Sequence, residues 1–140
     1  MSMLVLEAFI AVIVSWVLAQ FLKVVSHYAR TKKWNWSLFI QEAGFPSSHS
    51  STVASITMFV FLAGGLSMLF MVSLVFSGIV VRDALGLRRR AGQHAKLLNI
   101  LIKNGNIQFH RLNELMGHSP LQVIGGVVLG AAVATGIYFI

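Results

Sequence analysis

Long uninterrupted apolar stretches, rather than an alternating or helical-period pattern, dominate this chain. The first runs from about Met3 to Val25, broken by Glu7 near its start and by Gln20 and Lys23 near its end. It is long enough for a helix to cross a hydrocarbon core of roughly 30 Å. From Ser50 to Val81 no charged residue occurs, and Gly64-Gly65 divides the stretch. This predicts two antiparallel helices with a tight turn at the glycines. Each is short for a full crossing, so tilt, local thinning or a partner helix is required. In the last stretch, Ser119 to Ile140, Gly126 and Gly130 stand four apart, as do Ala132 and Gly136, which permits close helix packing.

Polar segments separate these stretches. The connector HYARTKKWNWSLFIQEAGFPSSHS carries Trp34 and Trp36, typical interfacial aromatics, and predicts a re-entrant stretch before Ser47. Within the polar half, Arg82 to Gly117, the segment Gln93–Lys103 sets Lys96, Asn99 and Lys103 on one helical face. Leu97, Leu98, Leu101 and Ile102 fall on the other, the pattern of an amphipathic helix lying in the interface. The expected fold is an all-α integral membrane protein, with about four transmembrane helices plus that interfacial helix. It forms a single membrane-embedded domain over residues 1–140.

Composition agrees: 56% of residues are hydrophobic and 11% charged, with a mean hydropathy of +0.78. The absence of cysteine excludes a disulfide framework and a thiolate metal site. No basic n-region or small-residue cleavage site opens the chain, so the first stretch reads as a span rather than a signal peptide. A net charge of +7 would by itself suggest nucleic acid. All eleven Lys and Arg, however, lie in Lys23–Lys33 or Arg82–Arg111, between apolar stretches, as juxtamembrane segments do. The partner is therefore the bilayer, with no nucleic acid. With four spans, every basic residue falls on one side, opposite both termini and the Gly-Gly turn. The positive-inside rule makes the basic side cytoplasmic and leaves both termini outside.

Two short segments concentrate the chemistry: GFPSSHSS at 44–51 and GHSP at 117–120. Each puts a histidine beside serine and proline where a span begins. Ser119 as N-cap with Pro120 at the first helical position is a good start signal, and Pro46 with Ser47 and Ser48 a weaker one. Both helix N-termini then point to the basic side, where free N–H groups and the positive dipole end favour phosphate. Lys23, Arg82, Arg88, Arg89 and Arg90 reach the same side, and arginine forks match phosphate oxygens. Ser47 and Ser48 read as caps and phosphate donors, since no nucleophile elbow surrounds them. Two histidines at a phosphate site allow one to attack phosphorus and the other to protonate the leaving oxygen. A nucleophilic histidine needs its far ring nitrogen oriented, usually by a carboxylate. Glu114 and Asp83 are the candidates. His27, His94 and His110 have no supporting motif, and the four scattered acids offer no metal-ligand spacing.

GFPSSHSS, RDALGLRRRAGQHA and ELMGHSPLQVIGGVVLG resemble the divergent branch of the type-2 phosphatidic acid phosphatase superfamily, related to acid phosphatases and vanadium-dependent haloperoxidases. The resemblance runs from about Gln20 to Gly130. It implies that Lys23 is the first-motif lysine, that PSSH at 46–49 is the second motif with His49 as acid, and that His118 is the third-motif nucleophile. Ser48 stands where that superfamily has glycine, Leu112 where it has arginine and Gln122 where it has aspartate. Arg82 or Arg88–Arg90 then replace the arginine, and Glu114 or Asp83 the carboxylate. Four spans against a six-helix superfamily core imply a reduced bundle or one completed by a second copy, hence a homo-oligomer. The implied activity is metal-independent hydrolysis, with no cofactor, of a phosphate ester or pyrophosphate on a phospholipid or polyprenyl phosphate. The location is a bacterial plasma membrane. The rival is a non-catalytic anionic-lipid binder or transport protein that keeps the phosphate pocket; Gln122 favours it, and the retention of both histidines favours the enzyme.

The one-sided charge predicts that Ser2→Cys and Asn104→Cys label from opposite sides of the membrane. Labelling of both from the same side with an impermeant reagent would overturn this topology.

Overall fold

The apolar stretches fold as helices in a computed structural model of the chain, which describes residues 3–41, 44–114 and 116–140. Helix α1 spans Met3–Thr31, α2 Ser48–Gly64, α3 Met68–Leu85, α4 Leu87–Asn104 and α5 Pro120–Tyr138, with a short 3₁₀ turn at Trp36–Phe39. Part of the predicted re-entrant stretch, residues 42 and 43, lies outside the described residues.

The starts are set by side-chain caps. Ser47, Ser67 and Ser119 each hold extended backbone and accept an N–H from the first turn of α2, α3 and α5. Ser119 goes further. Its hydroxyl accepts from Gln122 while the Gln122 side chain accepts the Ser119 N–H, a reciprocal capping box with Pro120 at the first position. Gly65, at φ 60°, turns the chain between α2 and α3 as the glycine pair predicted. Two elements outrun their predicted bounds. α1 continues six residues past Val25, because polar side chains end burial in lipid without ending a helix. α4 begins at Leu87 rather than Gln93, so Arg88–Arg90 lie in its first turn.

Among the described residues, three stretches are long and apolar enough to cross a membrane: Met3–Thr31, Met68–Asn104 and Pro120–Tyr138. The other expected crossing, α2, has 17 residues, a rise of about 25 Å, and lies at the centre of the bundle against α1, α3 and α5. The outer faces carry the large apolar side chains, among them Phe9, Val72, Val75, Phe76, Ile79 and Val128, all exposed. The interior is built of small ones: Ala11, Ser15, Ala19, Ser47, Ser50, Ser51, Ser55 and Ala134.

This inversion suits lipid, where no hydrophobic force drives helices together and close backbone approach must. A Cβ on Gly126 would collide with the Ser47 carbonyl, and one on Gly130 with the Ser51 carbonyl. α2 and α5 therefore touch backbone to backbone. Hydroxyls tie the neighbours to α2: Ser51 Oγ donates to Ser15 O at 3.2 Å, Thr57 Oγ1 and Ser77 Oγ share a bond of 2.7 Å, and Ser77 Oγ donates to Val53 O. At the far end Phe59 and Tyr138 meet edge to face at 5.6 Å. At the near end α1 and α3 finish where α2 and α5 begin. Ser47 N–H donates to Gln122 O at 2.9 Å, and His118 N–H to Ala84 O at 3.1 Å.

Gly130→Ala should therefore cost about 1–3 kcal/mol through overpacking, despite alanine's better helix propensity. Gly136→Ala, whose Cβ meets nothing within 4 Å, should be neutral or mildly stabilising. Unfolding of both variants in mild detergent checks the contrast; equal stability would show that α2 and α5 do not make this contact.

Candidate active site at the converging helix ends

His49 is the second residue of α2, and His118 immediately precedes the N-cap of α5. The register lock between Ser47 and Gln122 brings them together, with ring centroids 6.2 Å apart and planes tilted by 56°. His118 is buried, 3% exposed, and His49 is half-buried. Beside them Lys23 turns inward from α1. It is 1% exposed, and its Nζ donates to Gln41 O at 3.0 Å and to Ser48 Oγ at 3.1 Å. The connector closes over its stem at Gly44, where φ is +134° and a Cβ would meet Lys23 Cγ at 3.0 Å. Ser26 Oγ donates to Phe45 O at 3.0 Å and pins the same segment to α1. Ser47 and Ser50 hydroxyls, both buried, bond to each other at 3.0 Å under the first turn of α2.

The arginines arrive from the α3–α4 junction. Arg82 is in the last turn of α3 and exposed. Arg88 Nε donates to Asp83 Oδ2 at 2.7 Å, both side chains about a third exposed, at 34% and 35%. Such a pair orients more than it stabilises, since ion pairs at this exposure are worth about 0–1 kcal/mol. Residues 105–114 and 116–119 strap back across α4 to deliver His118. A Cβ on Gly117 would overlap the Arg89 backbone, and one on Gly92 would meet the carbonyls of Met116 at 2.8 Å and Glu114 at 2.9 Å. Three helix N-termini, of α2, α4 and α5, therefore surround His118, each with first-turn N–H groups to offer.

Lys23, Ser47, Ser48, His49 and His118 thus share one site, with Arg82, Asp83, Arg88 and Arg89 at its α3–α4 margin. Glu114 does not join them as the expected support for His118. Its Oε1 accepts from Asn99 Nδ2 at 2.8 Å and Arg111 at 3.2 Å. Asn99 also brackets Leu112, donating to its carbonyl and accepting its N–H, each at 2.9 Å. Glu114 is therefore a clamp on the strap. Asp83 is the candidate carboxylate that lies among the arginines.

The Divergent PAP2 family matches residues 5–133. The chain belongs to it. A relative in Bacillus subtilis (strain 168), the uncharacterized membrane protein YuiD, is 36% identical over 134 aligned residues, covering 81% of this chain and 82% of its own. No solved structure matches. In this Divergent PAP2 family chain, Gln122 is committed to the α5 cap, by side chain to Ser119 and by backbone to Ser47. Asn99, assigned by helical periodicity to a solvated face, is instead the anchor of the strap. Gln20, one turn before Lys23, is also missing from the predicted site, although it is 5% exposed in an apolar helix. Its signal was that polar interruption.

Hydrogen bonds from Asn99 and then Arg111 hold the Glu114 carboxyl below the usual carboxylate range, with the Arg111 and Lys96 charges adding to them against partial burial. A depressed folded pKa stabilises the strap at pH above the unfolded value of about 4.3, and that stabilisation is lost as pH falls through the folded value beneath it. Hydrogen exchange across residues 105–114, corrected for its intrinsic slowing in acid, should therefore accelerate on acidification through that window. In Glu114→Gln the acceleration should disappear; an unchanged profile would dissociate Glu114 from the strap.

Proposed function

We propose that this protein is a membrane phosphatase that hydrolyses a phosphate ester, or a pyrophosphate, of an anionic lipid through a phosphohistidine, a route that needs no metal. The observation that carries it is the pair of histidines 6.2 Å apart at the helix N-termini, with buried Lys23 beside them. That spacing matches in scale two near-attack distances of about 3 Å, one on each side of a phosphoryl group. An imidazole nitrogen of His118 attacks phosphorus while the bond to the alcohol oxygen breaks, and His49 gives that oxygen its proton. Water, deprotonated by His49, then cleaves the N–P bond and releases inorganic phosphate. Lys23, Ser47, Ser48, Arg82, Arg88 and Arg89 hold the phosphoryl charge, and Asp83 supports the cationic cluster. Arginines in the first turn of α4 oppose the helix dipole, a cost that a bound anion offsets.

In this reading the site faces the cytoplasm of a bacterial plasma membrane, and a second copy of the chain covers part of α3, which buries only Ala84. One observation favours the non-catalytic rival: the Gln122 side chain is taken up by the α5 cap and supplies no carboxylate to His118.

His118→Ala should abolish phosphate release from every substrate. His49→Ala should lose about 10²- to 10⁴-fold with an alkyl phosphate and be partly spared with an activated aryl phosphate, whose leaving group needs no proton. Lys23→Ala should raise KM and lower kcat together. A single turnover with labelled substrate should leave acid-labile, base-stable phosphate on His118. Wild-type rates in both histidine variants would overturn the phosphatase reading in favour of lipid binding.

A further inference from the structure

A groove of about 480 Å³ runs from His49 toward the outer surface between α1, the end of the 3₁₀ turn, α2 and α3. Its outer walls are apolar: Trp16, Ile40, Phe76 and Val80. Trp16, Ile40 and Phe76 are exposed, so the groove opens where lipid chains would lie. Its inner end is polar, and most of that polarity is already committed. Ser48 Oγ accepts from Lys23 at 3.1 Å, and Thr52 Oγ1 donates to Ser48 O at 2.8 Å. Gln20 is the exception. It lines the groove, it is 5% exposed, and its Oε1 accepts no hydrogen bond.

A buried carbonyl without a donor loses its hydration and gains nothing in return. The Gln20 side chain that carries it lines a groove leading to a candidate phosphate site, one helical turn from the lysine of that site. We infer that the groove is the substrate's alcohol subsite and that Gln20 reads a hydroxyl on it. The ligand class is a lipid phosphate with a free hydroxyl close to its phosphate-bearing carbon, one chain lying against Trp16, Ile40, Phe76 and Val80. With phosphate between His49 and His118, the Gln20 side chain turns its carbonyl toward the groove and accepts from that hydroxyl. A lipid phosphate with no such donor expels water from the groove and strands the carbonyl, which is how a polar pocket rejects an analogue that lacks one group. The inference rests on the two histidines marking the phosphate site, and it adds what selects the alcohol.

The test compares a monoacyl glycerol phosphate with the matched propanediol phosphate, which lacks only the free hydroxyl, in mixed micelles with the full-length protein. Wild type should favour the hydroxylated lipid by about 10- to 100-fold in kcat/KM, and Gln20→Leu should bring the two within about twofold. Gln20→Met serves if leucine impairs folding, and the wild-type ratio stands without either variant. Equal kcat/KM for the two lipids in wild type would overturn the inference while leaving the phosphatase reading intact. If wild type hydrolyses neither, the phosphatase reading fails, and calorimetric titration with the two corresponding phosphonates decides the groove. Tighter binding of the hydroxylated phosphonate by about tenfold sustains the assignment, and equal affinity ends it.

Discussion

The backbone contact between α2 and α5 is the constraint on which the rest depends. Gly126 and Gly130 let the α5 backbone rest on the carbonyls of Ser47 and Ser51, and the bond from Ser47 N–H to Gln122 O fixes how far one helix slides along the other. His49 lies two residues from one end of that lock and His118 four residues from the other. Their separation is set by the helix crossing together with the strap that seats His118 against Ala84. A crossing made of small residues is also the stable choice in lipid, where van der Waals contact and interhelical hydrogen bonds replace the hydrophobic effect. The serines of α2 serve both purposes: they are small enough for contact and polar enough to bond across it.

Charge is organised around that crossing in the opposite sense to an ordinary helical bundle. A lysine 1% exposed is turned inward, arginines crowd the positive end of α4, and α2, α4 and α5 direct their N-termini at one place. Each arrangement is unfavourable alone, since burial penalises a cation and a helix N-terminus repels one. In the proposed function, an anion bound at this site would relieve both terms. The inverted packing suits hydrocarbon around the helices, and the concentrated positive charge suits the anionic ligand proposed above.

Much of this was legible in the sequence. The apolar stretches, the Gly64-Gly65 turn, the Ser119-Pro120 start and the gathering of Lys23, His49 and His118 follow from hydropathy, capping chemistry and the odd-even ordering of antiparallel spans. Asn99 was misread because of what periodicity omits, and Glu114 was a candidate only by its closeness in sequence to His118. Periodicity reports which face of a helix a residue occupies, but not whether another stretch of chain covers that face. The strap has no periodicity of its own, so nothing announced that it would lie across α4 and engage Asn99. The start of α4 was hidden similarly, because three consecutive arginines resemble a juxtamembrane stop as much as a helical turn. Gln20 was visible as an interruption in α1 but had no assignment until the groove beside it was seen.

The placement of that groove also bears on how substrate is supplied. Trp16, Ile40 and Phe76, all exposed, line an opening between α1, α2 and α3. An amphiphile reaching His49 by this route arrives by two-dimensional diffusion within its leaflet and need not pass through water as a monomer. The concentration that sets occupancy is then the mole fraction of the lipid in the bilayer. Diluting the membrane with inert lipid lowers occupancy, whereas diluting the whole suspension leaves it unchanged.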